Sequence, residues 1–365
     1  MAAPMADLAQ STLPPFYAQR LGPERAQAAA QLRKLFADVG LHKQLWPRWV
    51  DARPGLLAAI WVDLDDEPPL SQLGEALSTR YGPLLQDGAA ALKLACAVPQ
   101  VGFCSSSDTR IADLRKLCGQ TTLVVQKTPA VFPSLPEVDL APEAGRSLVL
   151  SALVVAQVGA LVQGLAPLRL CSVVGAVNQP LVLDLNQPSA SASGEWTPRD
   201  LVRLCAGSMH AAWVAIVGGA LKGTVWGADE PLPADADHLL ILPAQHALLR
   251  RVRLLRSPEA RIANACLGCD LCSSFCPDDL LPHQAMRSFG PKASGPALSG
   301  CTGCGACSVV CPAELLPSQL LFDRLGNTES QRRETETPPP IRRGRLRIPT
   351  ELMLSRLGLL QYQRR

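Results

Sequence analysis

The segment that organises the chain is a cysteine run that occurs twice. The first copy, from Cys266 to Pro277, reads C-L-G-C-D-L-C-S-S-F-C-P, and the second, from Cys301 to Pro312, reads C-T-G-C-G-A-C-S-V-V-C-P. Both copies have the spacing C-x2-C-x2-C-x3-C-P. The close spacing of the first three cysteines lets one short loop surround three corners of a single inorganic group. We expect the fourth cysteine to start a helix and point away from its own loop, because the following proline suits a first helical turn, where no N–H is needed.

This spacing is typical of bacterial-ferredoxin-type regions, in which cysteine thiolates hold [4Fe–4S] clusters. In the two-cluster members, the fourth cysteine of each run ligates the cluster of the other run. The sequence therefore predicts two [4Fe–4S] clusters with crossed ligation. The predicted ligands are Cys266, Cys269, Cys272 and Cys311 for cluster 1, and Cys301, Cys304, Cys307 and Cys276 for cluster 2.

Two other uses of cysteine fit this pattern less well. A zinc ribbon also contains paired C-x2-C motifs, but it needs only two cysteines in each half. A disulfide framework is typical of short secreted chains, whereas this chain has 365 residues. The remaining cysteines lack ligand spacing and are predicted to be buried or partly buried small apolar residues: Cys96, Cys104, Cys118, Cys171 and Cys205. We expect electron transfer between the clusters, which requires no catalytic acid, base or nucleophile.

Composition sets the class of protein. A chain of 365 residues is long enough for two or three domains, and 47% hydrophobic with 18% charged residues is typical of a globular protein. The net charge of +3 is too small to indicate a nucleic-acid partner. Residues Met1–Arg20 lack the charged and apolar regions of a signal peptide. Clusters and free thiols together indicate a reducing compartment, the cytoplasm.

One uncharged stretch, between Arg146 and Arg169, is long enough to span a bilayer. It contains Gln157 and Gln163, no aromatic belt flanks it, and arginine stands at both ends, so no positive-inside asymmetry is present. We therefore interpret it as a buried strand followed by a helix, and we expect no transmembrane segment.

The fold class predicted from the order of elements is α/β plus α+β. Alternating strand and helix signals predict a Rossmann-like domain at residues 1–145. Its predicted helices are Leu21–Gly40, Leu73–Leu85 and Asp108–Leu117, and its predicted strands are Leu57–Leu64 and Thr122–Val125.

The following residues, 146–235, are predicted to form a small β-grasp-like domain. Leu168–Leu185 reads as strand, turn and strand, Thr197–Ala206 as a helix capped by Thr197, and Trp213–Val217 as a strand. A basic amphipathic helix, Gln245–Arg256, begins the dicluster domain at 236–326. Residues 327–365 are predicted to be a basic linker, Asn327–Arg345, and a C-terminal helix, Ile348–Tyr362, that docks back on the body.

This order of elements resembles the PduS/RnfC family of NADH dehydrogenase-like flavin subunits. The C-terminal segments look like the PduS branch, the cobalamin reductase of propanediol-utilisation microcompartments. The resemblance is carried by P-H-Q-A-M-R at Pro282–Arg287, R-I-P-T-E-L-M-L-S-R-L-G-L-L-Q-Y at Arg347–Tyr362, V-V-G-A-V-N-Q-P at Val173–Pro180, G-G-A-L-K-G at Gly218–Gly223 and H-L-L-I-L-P-A-Q-H-A-L-L-R at His238–Arg250. It implies an N-terminal NADH/FMN-type domain, an SLBB (β-grasp) domain and a two-cluster region.

The chain departs from this family at the nucleotide loop. The family has a glycine-rich G-x-G-G-A-G-F-P-T loop, whereas Gly40–Trp49 here reads G-L-H-K-Q-L-W-P-R-W. Without those glycines, few backbone N–H groups can approach flavin or nucleotide phosphates, so we expect the FMN and NADH site to be lost. The segment Asp65-Asp66-Glu67-Pro68 resembles the family's E-C-E-P, and we interpret it as a solvated loop after a strand.

The resulting hypothesis is an electron-transfer protein that relays electrons between a redox partner protein (a flavodoxin, ferredoxin or flavoprotein) and an acceptor such as a corrinoid (cobalamin) system. Two alternatives stay open: an NADH-dependent flavin and iron–sulfur reductase, cobalamin reductase or RnfC-like, and a docking subunit of a redox complex. The resemblance also implies a corrinoid-linked enzyme or a microcompartment shell as partners, with the protein in the cytoplasm, inside a bacterial microcompartment.

Basic residues flank the cysteine runs. We expect them to raise the cluster potentials and to guide an acidic electron partner. They are Arg250, Arg251, Arg253, Arg256 and Arg261 before the first run, and Arg342, Arg343, Arg345 and Arg347 in the C-terminal tail.

Overall fold

The structure is a computed structural model of the chain. It describes residues 27–28, 30–32, 34, 58–65, 69–118, 123–132, 147–189, 194–254, 265–277, 280–287, 304–318 and 346–363, with only the backbone at 222 and 252–254. The chain forms two compact units. The first comprises residues 1–67, 73–129 and 134–168, and the second comprises 68–72, 130–133 and 169–365.

The described helices and strands alternate through most of the chain. In chain order they are β1 (Ala59–Asp63), α1 (Leu73–Thr79), α2 (Gly82–Ala95), β2 (Gln100–Ser105), α3 (Asp108–Cys118), β3 (Val124–Lys127), β4 (Val131–Phe132), β5 (Ser147–Ser151), α4 (Ala152–Val162), β6 (Leu170–Gly175), β7 (Leu181–Asp184), α5 (Pro198–Leu204), β8 (Trp213–Val217), α6 (Gly219–Lys222), β9 (Thr224–Trp226), β10 (His238–Pro243), α7 (Ala247–Leu254), α8 (Leu271–Ser274), α9 (Pro282–Arg287), α10 (Ala306–Val309), β11 (Ile348–Pro349), α11 (Thr350–Arg356) and a 3-10 helix (Leu360–Tyr362).

The first unit contains a four-stranded parallel sheet with the order β3-β2-β1-β5. All five residues of β1 are buried, as a central parallel strand requires. The predicted α/β class is therefore confirmed for this sheet. The sheet also continues past the boundary that we expect at residue 145, because β5 pairs with β1.

The uncharged stretch forms β5 and α4, as predicted. Helix α4 packs closely on α2 through two facing glycines. A methyl group at Gly88 would overlap the carbonyl oxygen of Val155, and one at Gly159 would overlap that of Leu84, so the two backbones touch. Within the described part of the chain, the helices are all too short or too polar to cross a bilayer.

One helix prediction in the first unit is wrong in detail. The segment predicted as a single helix, Leu73–Leu85, is divided into α1 and α2. Pro83 stands in the first turn of α2, where its missing N–H is tolerated, but it cannot continue the preceding helix. Within the predicted helix Leu21–Gly40, the structure describes residues 27–28, 30–32 and 34, and all of them are helical. The rest of this predicted helix lies outside the described residues.

The second unit is built on a five-stranded mixed sheet with the order β7-β6-β10-β8-β9. Strands β6 and β10 are parallel, and the other neighbours are antiparallel. Helix α5 begins at the predicted cap, Thr197, and Thr197 and Asp200 form a capping box in which each side chain accepts from the other's backbone N–H. Alternate residues of β10 face different cores: Leu239 and Ile241 face α5, and Leu240 and Leu242 face the opposite core.

The C-terminal segment packs into that opposite core. Strand β11 pairs with β4, and α11 contributes Met353 and Leu354 to a cluster that also contains Leu240 of the sheet and Val309 of the second cysteine run. The predicted docking of Ile348–Tyr362 is therefore confirmed. The predicted linker, Asn327–Arg345, lies outside the described residues.

Arg251 of α7 does not have the role that we expect from its sequence context. Its side chain is only 8% exposed, donates to the carbonyl oxygen of Arg356 (3.0 Å) and lies 3.4 Å from the carboxylate of Glu314. The buried guanidinium therefore links α7 to α11 and to the segment after the second cysteine run, and a buried side chain cannot steer a partner in solution. Arg253, Arg256 and Arg261, and the tail arginines at 342, 343 and 345, have no described side chain.

Candidate functional site

The two cysteine runs have the same local conformation. Each contains a four-residue helix, α8 or α10, that holds the third cysteine, Cys272 or Cys307. Each helix is preceded by a residue in the left-handed region, Asp270 (φ 61°) or Gly305 (φ 84°). Glycine adopts this conformation freely and aspartate tolerates it, so the sequence supplies a suitable residue in both copies. Helices α8 and α10 pack against each other.

The expected start of a helix after each fourth cysteine is wrong. Pro312 and Ala313 form a turn, and Pro277 also lies in a turn. Helical residues begin later, at Pro282 and at Pro317. The prolines at these later positions therefore occupy the first helical turn.

One cavity collects the four cysteines predicted for cluster 1. It is lined by Cys266, Cys269 and Cys272 from the first run and by Cys311 from the second, together with Gly268, Met286, Leu315 and Pro317. Met286 and Leu315 are buried and pack on Cys266 and Cys311. The fourth cysteine of this cavity comes from the other run, and crossed ligation of two clusters stays a prediction.

The chemistry of these four side chains fits an iron–sulfur cluster. Burial, together with the nearby Cys266 and Cys311, raises the pKa of Cys272 to about 11, and burial also raises the pKa of Cys311. Thiolates so close together repel each other, and a group carrying positive iron ions removes this penalty and displaces the protons. The apolar walls of Met286 and Leu315 would exclude water from the cluster on one side.

The second set is partly described. Cys276 is buried, Cys304 and Cys307 are half-buried, and Cys301 lies outside the described residues. Among the residues that the structure describes, no group of three or more His, Cys, Asp or Glu side chains is arranged around a single metal ion. The cysteines of a cubane bind four separate iron atoms, so their positions need not match those of ligands to one ion.

One serine in each run, Ser273 or Ser308, joins that run to the segment that follows it in the chain. The two serines occupy equivalent positions in the repeat. In the first half, Ser273 Oγ lies 2.7 Å from His283 Nδ1, which also lies 2.7 Å from the Asp270 carboxylate. In the second half, Ser308 Oγ lies 2.6 Å from Ser318 Oγ, which donates to the carbonyl oxygen of Leu221 in α6 (3.0 Å). The bond to Leu221 ties the second cysteine run to the five-stranded sheet.

These contacts reveal a repeat longer than the cysteine motif. The segment L-L-P-H at 280–283 and the segment L-L-P-S at 315–318 come after their runs at the same distance. His283, Met286 and Arg287 have the i, i+3, i+4 spacing that places side chains on one helix face, and all three contact the first run or its cavity. Their helical spacing, read beside the L-L-P repeat, is the sequence signal that would have found them.

The five remaining cysteines are all buried, as predicted. Burial raises the pKa of Cys171 and brings that of Cys205 to about 12. Both thiols therefore stay protonated at neutral pH and behave as small core residues.

The acidic segment after β1 is partly described. Asp65 accepts hydrogen bonds from Ser105 Oγ (2.9 Å) and the Ser106 N–H, and it forms an ion pair with Arg110 (2.8 Å). This carboxylate is therefore occupied by protein groups at the carboxyl ends of β1 and β2. Asp66, Glu67, Pro68 and the loop Gly40–Trp49 lie outside the described residues.

Comparisons with known proteins gave matches among solved structures alone. No protein-family model and no curated protein matches the chain. The structure is similar to a chain of an NAD+-reducing [NiFe]-hydrogenase in the H2-reduced state, with a TM-score of 0.46 and 14% identity over 90% of this chain and 68% of that chain. The air-oxidised state gives a TM-score of 0.46 and 15% identity over 97% of this chain and 72% of that chain.

Proposed function

We propose that this chain is an electron-transfer protein that carries two [4Fe–4S] clusters. The observation that supports the proposal most is the cavity in which Cys266, Cys269 and Cys272 of one run meet Cys311 of the other. Four thiols with apolar walls suit a cubane, whereas they offer no hydrolytic or acid–base chemistry. In this proposal the second set is Cys276, Cys301, Cys304 and Cys307.

Each cluster, when bound, would supply one-electron chemistry, and the residues of the chain would set its surroundings. Met286 and Leu315 exclude water from one wall of the first cavity. The packing of α8 on α10 brings the two runs together, so that electrons could pass between the two sets without a separate partner. No step in this role requires an acid, a base or a nucleophile.

The biological setting that we propose is the one implied by the resemblance to PduS/RnfC subunits. An N-terminal nucleotide-type domain would correspond to the first unit, which continues through β5 and α4, and an SLBB domain and a dicluster domain would follow it in the second unit. The redox partner would be a flavodoxin, a ferredoxin or a flavoprotein, and the acceptor would be a corrinoid system. Free buried thiols and clusters favour a reducing location, the cytoplasm or a microcompartment within it.

The visible spectrum of protein purified without oxygen tests this function. Clusters alone should give a broad absorption shoulder that dithionite bleaches. Additional peaks of bound flavin would support an NADH-dependent flavoprotein reductase in its place. A colourless protein that contains stoichiometric zinc would contradict both functions.

Flavin binding can be measured separately by calorimetry. Because Gly40–Trp49 lacks the glycines of the family loop, we expect no FMN affinity in the micromolar range, a free energy of about −8 kcal/mol. Micromolar FMN binding would favour the reductase, and the clusters would then pass electrons to or from the flavin within one chain.

A further inference from the structure

The loop between the first two cysteines of the first run is covered by an arginine. Gly268 lies between Cys266 and Cys269, lines the cavity and has a φ of +65°. A methyl group at Gly268 would lie 2.6 Å from Cζ and 3.1 Å from Nε of Arg287, and it would overlap Nη2. The guanidinium of Arg287 therefore lies against the backbone of a residue that lines the cavity.

Helix α9 holds the arginine in this position. Met286, the residue before it, is buried in the cavity wall, and His283, one helical turn earlier, is bonded to the first run through Ser273. Both neighbours restrain α9 and so fix the backbone position from which the exposed Arg287 side chain reaches Gly268. Within the described part of the chain, no carboxylate lies within ion-pair distance of Arg287.

We propose that Arg287 is the cation that sets the reduction potential of cluster 1, and that glycine at position 268 is required for its approach. This inference rests on the proposed function. Four thiolates give a cubane a net negative charge, and reduction adds another electron. A fixed positive charge beside it stabilises the reduced form more than the oxidised form, and so it raises the potential.

The arginine also makes the two clusters unequal. The residue that corresponds to Arg287 in the second repeat is Phe322, which stands 35 positions later, as Cys301 does from Cys266. The glycine of the first loop has a counterpart in the second, Gly303. The repeat therefore keeps glycine at this position and differs in the charge, which favours cluster 1 as the site of higher potential.

The test is an anaerobic redox titration of the full-length protein, followed by electron paramagnetic resonance. Cys269→Ser and Cys304→Ser assign the two signals, because each removes a ligand from one set. Arg287→Gln removes the charge and keeps most of the side-chain length, Arg287→Lys keeps the charge, and Gly268→Ala displaces the guanidinium. Iron and sulfide analysis of each variant shows whether both clusters are assembled.

We expect Arg287→Gln to lower the equilibrium constant for reduction of cluster 1 about tenfold, which lowers its reduction potential by about 59 mV for one electron. Cluster 2 should keep its potential, Arg287→Lys should retain most of the wild-type value, and Gly268→Ala should shift cluster 1 in the same direction as Arg287→Gln. The shift should shrink at high salt, because the side chain is exposed.

Two results would overturn the inference: an unchanged potential in Arg287→Gln, or equal shifts of both clusters. If Gly268→Ala fails to assemble a cluster, the comparison of Arg287→Gln with Arg287→Lys still tests whether the charge sets the potential of cluster 1. Absence of any cubane signal from the wild-type protein would contradict the proposed function itself, which separates that failure from a failure of the arginine.

Discussion

The two halves of the cysteine repeat have the same motif and opposite surroundings. Leu271 in the first half is 39% exposed, whereas the equivalent Ala306 in the second is 2% exposed. His283 bonds to Ser273 in a partly exposed position, whereas Ser318 bonds to Ser308 in a buried one. The first half therefore faces solvent, and the second half is covered by the five-stranded sheet and α11.

This difference indicates how a duplicated motif gains two roles. In the proposed function the motif would supply the ligand atoms, and the residues around it would set access and charge. An electron partner can approach the first half closely, because Cys269, Leu267 and Leu271 are exposed. The second half is held by Leu221 and Val309 in the core of the second unit, so the cluster proposed for it would be the more internal of the two.

The largest expected effect concerns the cross between the halves. Cys276→Ser should damage the cluster that Cys304 and Cys307 hold, whereas Cys269→Ser should damage the cluster that shares Cys311. Each variant should lose most of one paramagnetic signal and keep the other, because each cubane depends on four thiolates. If both variants damage the same cluster, the halves are not crossed and each run holds its own cluster.

A second prediction tests whether the packing of Leu221 against the second half contributes to stability. Leu221 is buried, and a methyl group at Gly305 would lie 2.8 Å from its Cδ1. Leu221→Ala should lower the free energy of unfolding by about 2–5 kcal/mol, as expected for a buried leucine. Anaerobic urea unfolding measures it.

The matched control for Leu221→Ala lies in the first half. Leu271→Ala removes an exposed side chain and should change stability by no more than about 0.5 kcal/mol. Equal losses in the two variants would show that the halves are not differently packed.

A third prediction concerns pH and the sheet beneath the second half. His238 of β10 is fully buried, and burial lowers its pKa to about 3. Unfolded histidine takes up a proton below about pH 6.5, whereas folded His238 stays neutral down to about pH 3, so stability falls as pH drops. This group should contribute a loss of about 2 kcal/mol between about pH 7.5 and about pH 5, at about 1.36 kcal/mol per unit.

His238→Leu is the control for this pH effect. Neither ring nitrogen has a hydrogen-bond partner among the described residues, so an apolar side chain of similar volume should be tolerated or stabilising. The variant should lose the pH-dependent part in urea titrations. An unchanged slope would assign the acid sensitivity to other groups.

The smallest expected effect lies in the exposed half. The Asp270 carboxylate lies 2.7 Å from His283 Nδ1, and the Asp270 side chain is 58% exposed. Asp270→Asn should cost less than about 1 kcal/mol, because solvent screens exposed pairs. The comparable change in the covered half, Ser308→Ala, removes a buried hydroxyl that bonds to both the hydroxyl and the backbone N–H of Ser318, and it should cost more, about 1–3 kcal/mol. Thermal unfolding of both variants compares them.

Sequence predicted the local features well and the long-range ones less well. The cysteine spacing was sufficient to predict that Cys266, Cys269 and Cys272 meet Cys311, although the helix expected after each fourth cysteine is absent from the described residues. The division of Leu73–Leu85 was readable from Pro83. The burial of Arg251 could not be read from the sequence. An amphipathic pattern shows which helix face is basic, but it does not show what packs on that face.

The extent of the parallel sheet and the position of α9 also depended on tertiary structure. From its sequence, an apolar run such as Ser147–Ser151 could belong to either unit. Its pairing with β1 places it in the sheet of the first unit. Arg287 reaches Gly268 because α9 folds back on the first run, which motif spacing alone does not state.

The measurement that tests the central claim most directly is the iron and acid-labile sulfide content of protein purified without oxygen. Two cubanes in the two halves require about eight iron atoms and about eight sulfides per chain. A content of about four of each would leave one half without a cluster, and stoichiometric zinc without sulfide would contradict the iron–sulfur assignment of both halves.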